Sequence, residues 1–163
     1  MNDPCARLRE ALNRLQVLGT IERVSAFYET EPMEIQDQPW FVNCSLKLCT
    51  ALGAESLMEA LLEIEREMGR RRTRLKGPRI IDIDLLLYND DVISQSGLQV
   101  PHRAMHQRRF VLAPLAEIAP DAWHPGLRKT VSDLLSILGD CGGTVRKLDV
   151  GSKMQASCEV RRF

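Results

Sequence analysis

Nowhere does the sequence approach the roughly 20 consecutive apolar residues that a bilayer-spanning helix requires, and its opening, Met1-Asn2-Asp3-Pro4-Cys5, is polar with no apolar stretch behind it. Net charge is absent too. With 22 basic residues against 22 acidic ones, no global field draws the chain to nucleic acid or to an anionic membrane. Cysteine pairs at Cys-x-x-Cys spacing are missing: Cys5, Cys44, Cys49, Cys141 and Cys158 are odd in number and set for neither a zinc site nor a redox couple. Free thiols in a reducing cytoplasm are expected. The sequence has no Walker-type phosphate loop, no H-R-D or D-F-G signature of protein kinases, no internal repeat and no low-complexity segment. What is present is 44% hydrophobic content over 163 residues, enough for one self-contained core.

The charge that cancels globally is concentrated locally. Between Arg66 and Arg79 stand Arg66, Arg70, Arg71, Arg72, Arg74, Lys76 and Arg79 against Glu67 alone, and the run leads through Gly77-Pro78 into Ile80-Ile81-Asp82-Ile83-Asp84. Arginine's planar fork grips phosphate oxygens in two places. If residues 80–87 form a strand, side chains alternate, so Ile81, Ile83, Leu85 and Leu87 share one side and Asp82 and Asp84 the other. Carboxylates about 7 Å apart at Cα can lean together on one hard cation, or on two held about 3.5 to 4 Å apart. A phosphate substrate carried with magnesium fits that pattern better than a merely solvated charge run.

Elsewhere the periodicity predicts a helix over 7–18, a strand over 21–31, a proline-bounded loop over 31–39 and an alternating strand over 40–50. In that alternating strand Val42, Cys44, Leu46 and Leu48 oppose Phe41, Asn43, Ser45 and Lys47. Phe41 could stack on a flat ring and Asn43 read its edge, or the two could be an edge-strand aromatic and a solvated amide. A helix over 56–69 follows, with Ser56 and Glu59 spaced as a capping box and Glu63, Glu65, Arg66 and Glu67 on its polar face. A turn is expected at 88–92. His102 and His106 stand four apart, but no third ligand is spaced to complete a zinc site, and Pro101 suggests a helix start where His102 faces phosphate. Residues 114–119 read as an apolar connection, 131–138 as a helix, 144–148 as a last strand and 149–163 as a loosely held tail. The mixture indicates a ferredoxin-like α+β sandwich of helices on a mostly antiparallel sheet.

Four blocks in order resemble the 6-hydroxymethyl-7,8-dihydropterin pyrophosphokinase family. They are Phe27-Tyr28-Glu29-Thr30 with Pro32; Gln38-Pro39 through Phe41-x-Asn43; Gly69-Arg70-x-Arg72 with Gly77-Pro78-Arg79-x-x-Asp82-x-Asp84; and Pro101-His102 through Arg108-x-Phe110-x-Leu112-x-Pro114-Leu115-x-Glu117-Ile118-Ala119-Pro120. The resemblance covers about residues 3–148. It implies an ATP-dependent diphosphotransferase of folate biosynthesis, moving pyrophosphate from ATP to the pterin hydroxymethyl group and releasing AMP. Carried over by position, Asp82 and Asp84 would hold two Mg2+ ions. Arg70, Arg72, Arg79, His102 and Arg108 would contact the ATP triphosphate, with Arg70 and Arg79 counted as catalytic beside the aspartates. Thr30, Pro32, Met33, Phe41, Asn43 and Phe110 would form the pterin pocket. The implied partners are small molecules, with no nucleic acid and no membrane, and a cytoplasmic monomer is expected.

The sequence departs from the family where members usually open with a strand ending in Gly-Ser-Asn ahead of the first helix, since this chain starts at Met1-Asn2-Asp3. Two neighbouring strands are then expected to carry unpaired backbone groups. Leu75-Lys76 also replaces a frequent Arg-aromatic pair. Two other readings compete: a non-catalytic or partner-completed relative, and a nucleic-acid-binding module using the arginine loop. The second is opposed by the balanced charge and the adjacent aspartates.

Overall fold

The computed structural model of the protein describes residues 3–30, 40–69, 81–141 and 143–149. Helix α1 (Pro4–Leu15) begins where the Asp3 side chain accepts a hydrogen bond from Cys5 N at 2.9 Å and Pro4 supplies a pre-set first turn. A turn of 3-10 helix, Gln16–Leu18, carries the chain to Gly19. There a Cβ would stand 2.2 Å from the Cys49 carbonyl oxygen, so only glycine lets the two backbones meet.

The strands expected over 21–31 and 40–50 are each broken in two. Strand β1 (Thr20–Val24) pairs with β4 (Leu46–Cys49), while β2 (Tyr28–Thr30) lies between β3 (Phe41–Asn43) and β9 (Val145–Lys147). The breaks face each other: Ser25 N donates to Ser45 O at 2.8 Å, and Ser45 N donates to Ser25 Oγ at 2.9 Å. That corner buries Ser45, which simple alternation puts on the outer face. A bulge between Ile21 and Arg23 shifts the register along the same pair.

Helix α2 (Ala54–Glu67) starts earlier than expected, at a Gly53 cap with no side-chain bond, so Ser56 falls inside its first turn and the expected capping box does not form. Asn89 and Asp90 make the expected turn, with Asp91 N donating to Tyr88 O at 3.1 Å. The hairpin β5 (Ile93–Gln95) and β6 (Leu98–Val100) follows, folding over Gly97 at φ +83°. The apolar connection expected at 114–119 is instead the second half of helix α3 (Arg109–Ile118), which keeps Pro114 inside it. Proline costs that helix one N–H, but Val111, Leu112, Leu115 and Ile118 all bury their side chains, and packing outweighs propensity. After the short hairpin β7 (Trp123–His124) and β8 (Lys129–Thr130), helix α4 (Val131–Leu138) forms where expected, with a Thr130/Asp133 capping box. Beyond Asp149 the expected tail lies outside the described residues.

Every strand pairing among the described residues is antiparallel, and helices cover the strands, as an α+β sandwich requires. Two cores form. One gathers Leu15, Leu57, Leu61 and Ile64 of α1 and α2 against Leu46 and Leu48; the other gathers Met105, Leu112, Leu115, Val131 and Leu134 around α3 and α4.

Glu117 on α3 ties this second layer to the strands. Tyr28 Oη donates to its Oε2 at 2.6 Å, while Ala26 N and Lys147 Nζ donate to its Oε1 at 3.3 and 3.1 Å. Burial pulls the Glu117 carboxyl upward, but the hydrogen bonds from Tyr28, Lys147 and Ala26 outweigh it and leave the group below its ordinary value. Burial first, then the Glu117 bond, pushes Tyr28 up to about 12. A lowered carboxyl stabilises the fold above its unfolded value and stops doing so as pH falls through the folded one. Glu117→Gln should therefore be less stable than the parent at neutral pH, and the gap should close as pH falls from the ordinary 4.5 through the lowered folded value. Urea unfolding across that range checks it.

Candidate active site

The acidic pair sits on an extended segment rather than on a strand. Residues 81–88 form no strand ladder, because among the described residues no strand lies hydrogen-bonded beside them. The alternation expected from the sequence holds at its start. Ile81 is buried, Ile83 and Leu85 pack on the α1/α2 core, and Asp82 and Asp84 are both exposed. It lapses further on, where Leu86 and Leu87 both pack against the α3/α4 core.

Glu65, expected on the polar face of α2, is in fact 1% exposed. Its Oε1 accepts a hydrogen bond from Ile83 N at 2.7 Å. The contact lands on the residue between the two aspartates, where a strand partner would otherwise fix the backbone. A signal for it exists in the sequence: Glu65 lies four after Leu61 and three before Met68, on the edge of the apolar stripe.

His102 faces the acidic pair. Its backbone N donates to Leu86 O at 2.9 Å, holding it alongside the extended segment. Burial lowers the imidazole below its ordinary value; Asp84 and Asp82 pull it upward, and Arg108 and Arg103 push it down. Two carboxylates and two guanidiniums thus act on one ring. The helix expected to start at His102 does not start there. Met105–Gln107 is a 3-10 turn and α3 begins only at Arg109. His106 turns away, its ring edge-on to His124 at 6.3 Å between centroids, so the two histidines do not share a site.

The Arg108 guanidinium lies 5.8 Å from the centroid of the Phe110 ring. Helix α3 packs against β2 and β3, which carry the remaining candidates. Asn43 Nδ2 donates to Thr30 Oγ1 at 2.9 Å, across strands whose register sets Thr30 opposite Phe41 and Tyr28 opposite Asn43. Phe41 is 45% exposed, a large aromatic with one side uncovered. Thr30, by contrast, is buried. Arg108, His102, Asp82 and Asp84 thus form one group, and Thr30, Phe41 and Asn43 another, with Arg108 and Phe110 at the start of α3 between them. Pro32, Met33, Arg70, Arg72 and Arg79 lie outside the described residues.

Two carboxylates suit a magnesium ion, which keeps waters and takes its other oxygens from substrate phosphates rather than from an all-protein cage. Exposed and aligned on one side, Asp82 and Asp84 meet that requirement. Among the described residues no three His, Cys, Asp or Glu side chains are arranged to hold a metal ion together, so His102 stands beside the pair without completing a cage. The described cysteines, Cys5, Cys44, Cys49 and Cys141, are free thiols, and burial pushes Cys44 up to about 11. No helix among the described residues is long and apolar enough to cross a membrane.

Residues 1–120 match the family model described as 7,8-dihydro-6-hydroxymethylpterin-pyrophosphokinase (HPPK). A 2-amino-4-hydroxy-6-hydroxymethyldihydropteridine pyrophosphokinase from Methylorubrum extorquens is 42% identical over 144 residues, covering 87% of this chain and 90% of that protein. The protein of the same name from Haemophilus influenzae is 38% identical over 142 residues, or 86% of this chain and 88% of its own length. The folic acid synthesis protein fol1 of Schizosaccharomyces pombe is 40% identical over 144 residues, but the match spans only 20% of that much longer protein. With the matched region reaching from α1 through α3, and so taking in the acidic pair, His102, Arg108 and Phe110, the chain belongs to the HPPK family.

Proposed function

We propose that this chain transfers a pyrophosphoryl group from ATP to the hydroxymethyl group of 6-hydroxymethyl-7,8-dihydropterin, forming the pterin diphosphate and AMP for folate synthesis. The observation that carries the reading is the placement of Asp82 and Asp84, exposed on one side and facing His102, beside Arg108. The Thr30, Phe41 and Asn43 group supports a flat heterocycle nearby. Phe41 and Phe110 would cover the two faces of the ring, and Asn43, whose Oδ1 is not taken up by Thr30, would accept from its edge.

The hydroxymethyl oxygen attacks the β-phosphorus of ATP and gives up its proton to solvent, the bond from that phosphorus to the α-phosphate oxygen breaks, and AMP leaves with the electron pair. Negative charge spreads over the phosphate oxygens as this happens, so the protein's part is positioning and preset positive charge. Arg108 and His102, with Arg70, Arg72 and Arg79 from the arginine-rich stretch of the sequence, would bind the triphosphate. Asp82 and Asp84 would hold two Mg2+, which when bound bring the triphosphate and the pterin hydroxyl together and neutralise charge between them. His102, lowered by burial, enters the site largely neutral and so donates a hydrogen bond without competing as a fixed cation. Pro32 and Met33 would complete the pterin pocket. In the same reading residues 1–148 are the working domain, acting as a cytoplasmic monomer on two small molecules and on no nucleic acid.

AMP formation from ATP, magnesium and the pterin alcohol tests the proposal. The parent should turn over, and Asp82→Asn and Asp84→Asn should each fall by about a hundredfold or more while remaining folded. No turnover in the parent, or full turnover in either variant, contradicts it. Glu65 gives a separate expectation. Glu65→Leu leaves Ile83 N without its acceptor and should cost roughly 1 to 3 kcal/mol of stability. It should also lower kcat by loosening the acidic pair, whereas Glu65→Gln, whose amide oxygen can still accept, should lose less of both. Paired denaturant unfolding and steady-state kinetics read the two effects.

A further inference from the structure

Tyr28, Asn43 and Lys147 stand abreast in the three-stranded sheet, for the register sets Tyr28 opposite Asn43 of β3 on one edge and opposite Lys147 of β9 on the other. The next row along has Thr30 between Phe41 and Val145. Residues two apart on a strand share a face, so Tyr28 and Lys147 lie on the face that carries Thr30, Phe41 and Asn43. Glu117 meets that face from α3. Tyr28 Oη and Lys147 Nζ donate to its carboxylate at 2.6 and 3.1 Å, and Ala26 N adds a third bond at 3.3 Å.

Glu117 follows Phe110 by seven residues, two helical turns, so both leave α3 on the same side, with the fully buried Pro114 between them. Pro114 has no N–H to give the Phe110 carbonyl, and the turn that carries Phe110 therefore lacks a backbone bond of its own. The aim of that ring then depends on what fastens the rest of the helix. Arg109 donates to Gly139 O at its start, and Arg23 Nη1 donates to Ile118 O at 3.1 Å at its end. The Glu117 cluster is the fastening that lands on the sheet of Phe41 and Asn43.

We propose that Tyr28, Glu117 and Lys147 are positioning residues for the pterin: their clamp fixes how far Phe110 on α3 stands from Phe41 on β3, and so how firmly the two rings grip a flat bicycle. The inference rests on the pterin reading of that pair. Lys147 is supplied by β9, beyond the residues 1–120 that match the family model. A slot preset to the thickness of its ligand loses less freedom on binding than a loose one. The clamp also holds across neutral pH, since Glu117 stays below its ordinary value and Tyr28 stands at about 12. The triphosphate side is fastened separately, with His102 N bonded to Leu86 O.

The probe is oxidised 6-hydroxymethylpterin, titrated by its own fluorescence into the full 163-residue chain with Mg2+ and a non-hydrolysable ATP analogue. Tyr28→Phe keeps the ring and removes the bond to a charged partner, and should raise the pterin Kd by about tenfold. Lys147→Met removes a half-exposed ion pair and should raise it by about threefold. The Kd of the ATP analogue should stay within about twofold in both. Adding Tyr28→Phe to Glu117→Leu should weaken pterin binding no further, because the two act through one bond. A parent that does not bind the pterin removes the function reading and this inference together. A parent that binds it, with both single variants matching the parent, keeps the function and overturns the clamp. Equal losses of pterin and nucleotide also overturn it, since they mark a general loosening of the fold. Thermal unfolding accompanies each titration, and if Tyr28→Phe does not fold, Lys147→Met decides by the same criteria.

Discussion

One short segment, residues 81–88, stays extended with no strand laddered beside it among the described residues. Side-chain anchoring does the work instead. Glu65 accepts from Ile83 N on one flank, Leu86 O takes the His102 N–H on the other, and apolar side chains plug into both cores. The buried carboxyl oxygen that accepts from Ile83 N fixes the backbone between the two aspartates. It comes at the cost of taking an acid out of water, so its position beneath the two aspartates is where that cost is matched by a gain in order.

From that segment the electrostatics follow. Two exposed acids draw cations, and the same acids oppose the burial that lowers His102, while Arg108 and Arg103 reinforce it. The two carboxylates repel one another, as do the two guanidiniums, and a magnesium nucleotide relieves both pairs: anionic oxygens for the guanidiniums, divalent charge for the carboxylates. Helix α3 then relates this polar group to the aromatic one, since Arg108 and Phe110 stand at its start and Glu117 near its end fastens it to β2 and β9.

How much of this the sequence disclosed depends on whether the cause was local. Helices α1, α2 and α4 were legible because their apolar residues recur at helical spacing, and the acidic pair because period-two alternation is unambiguous over Ile81 to Asp84. Helix α3 was hidden by Pro114, whose propensity argument fails against a face as buried as Leu112 and Leu115. The split strands were hidden because the corner is made by two serines 20 residues apart, Ser25 and Ser45, and no local pattern announces that pairing. Glu65 has a local signal in its spacing from Leu61 and Met68, but its partner, the backbone of a residue 18 positions away, has none. For the candidate site, residue types came from chemistry and family resemblance, whereas their grouping around Arg108 and His102 is visible only in three dimensions.

The central claim is that the Asp82 and Asp84 carboxylates both take part in holding the divalent metal that accompanies the nucleotide. Carbon-13 spectra of aspartate-labelled chain, taken with Mn2+ and a non-hydrolysable ATP analogue, address it directly. Broadening of the Asp82 and Asp84 carboxyl signals together, with those of exposed Asp90 and Asp121 left sharp, is the predicted result. Nucleotide bound with Mn2+ while either of the two signals stays sharp would contradict it.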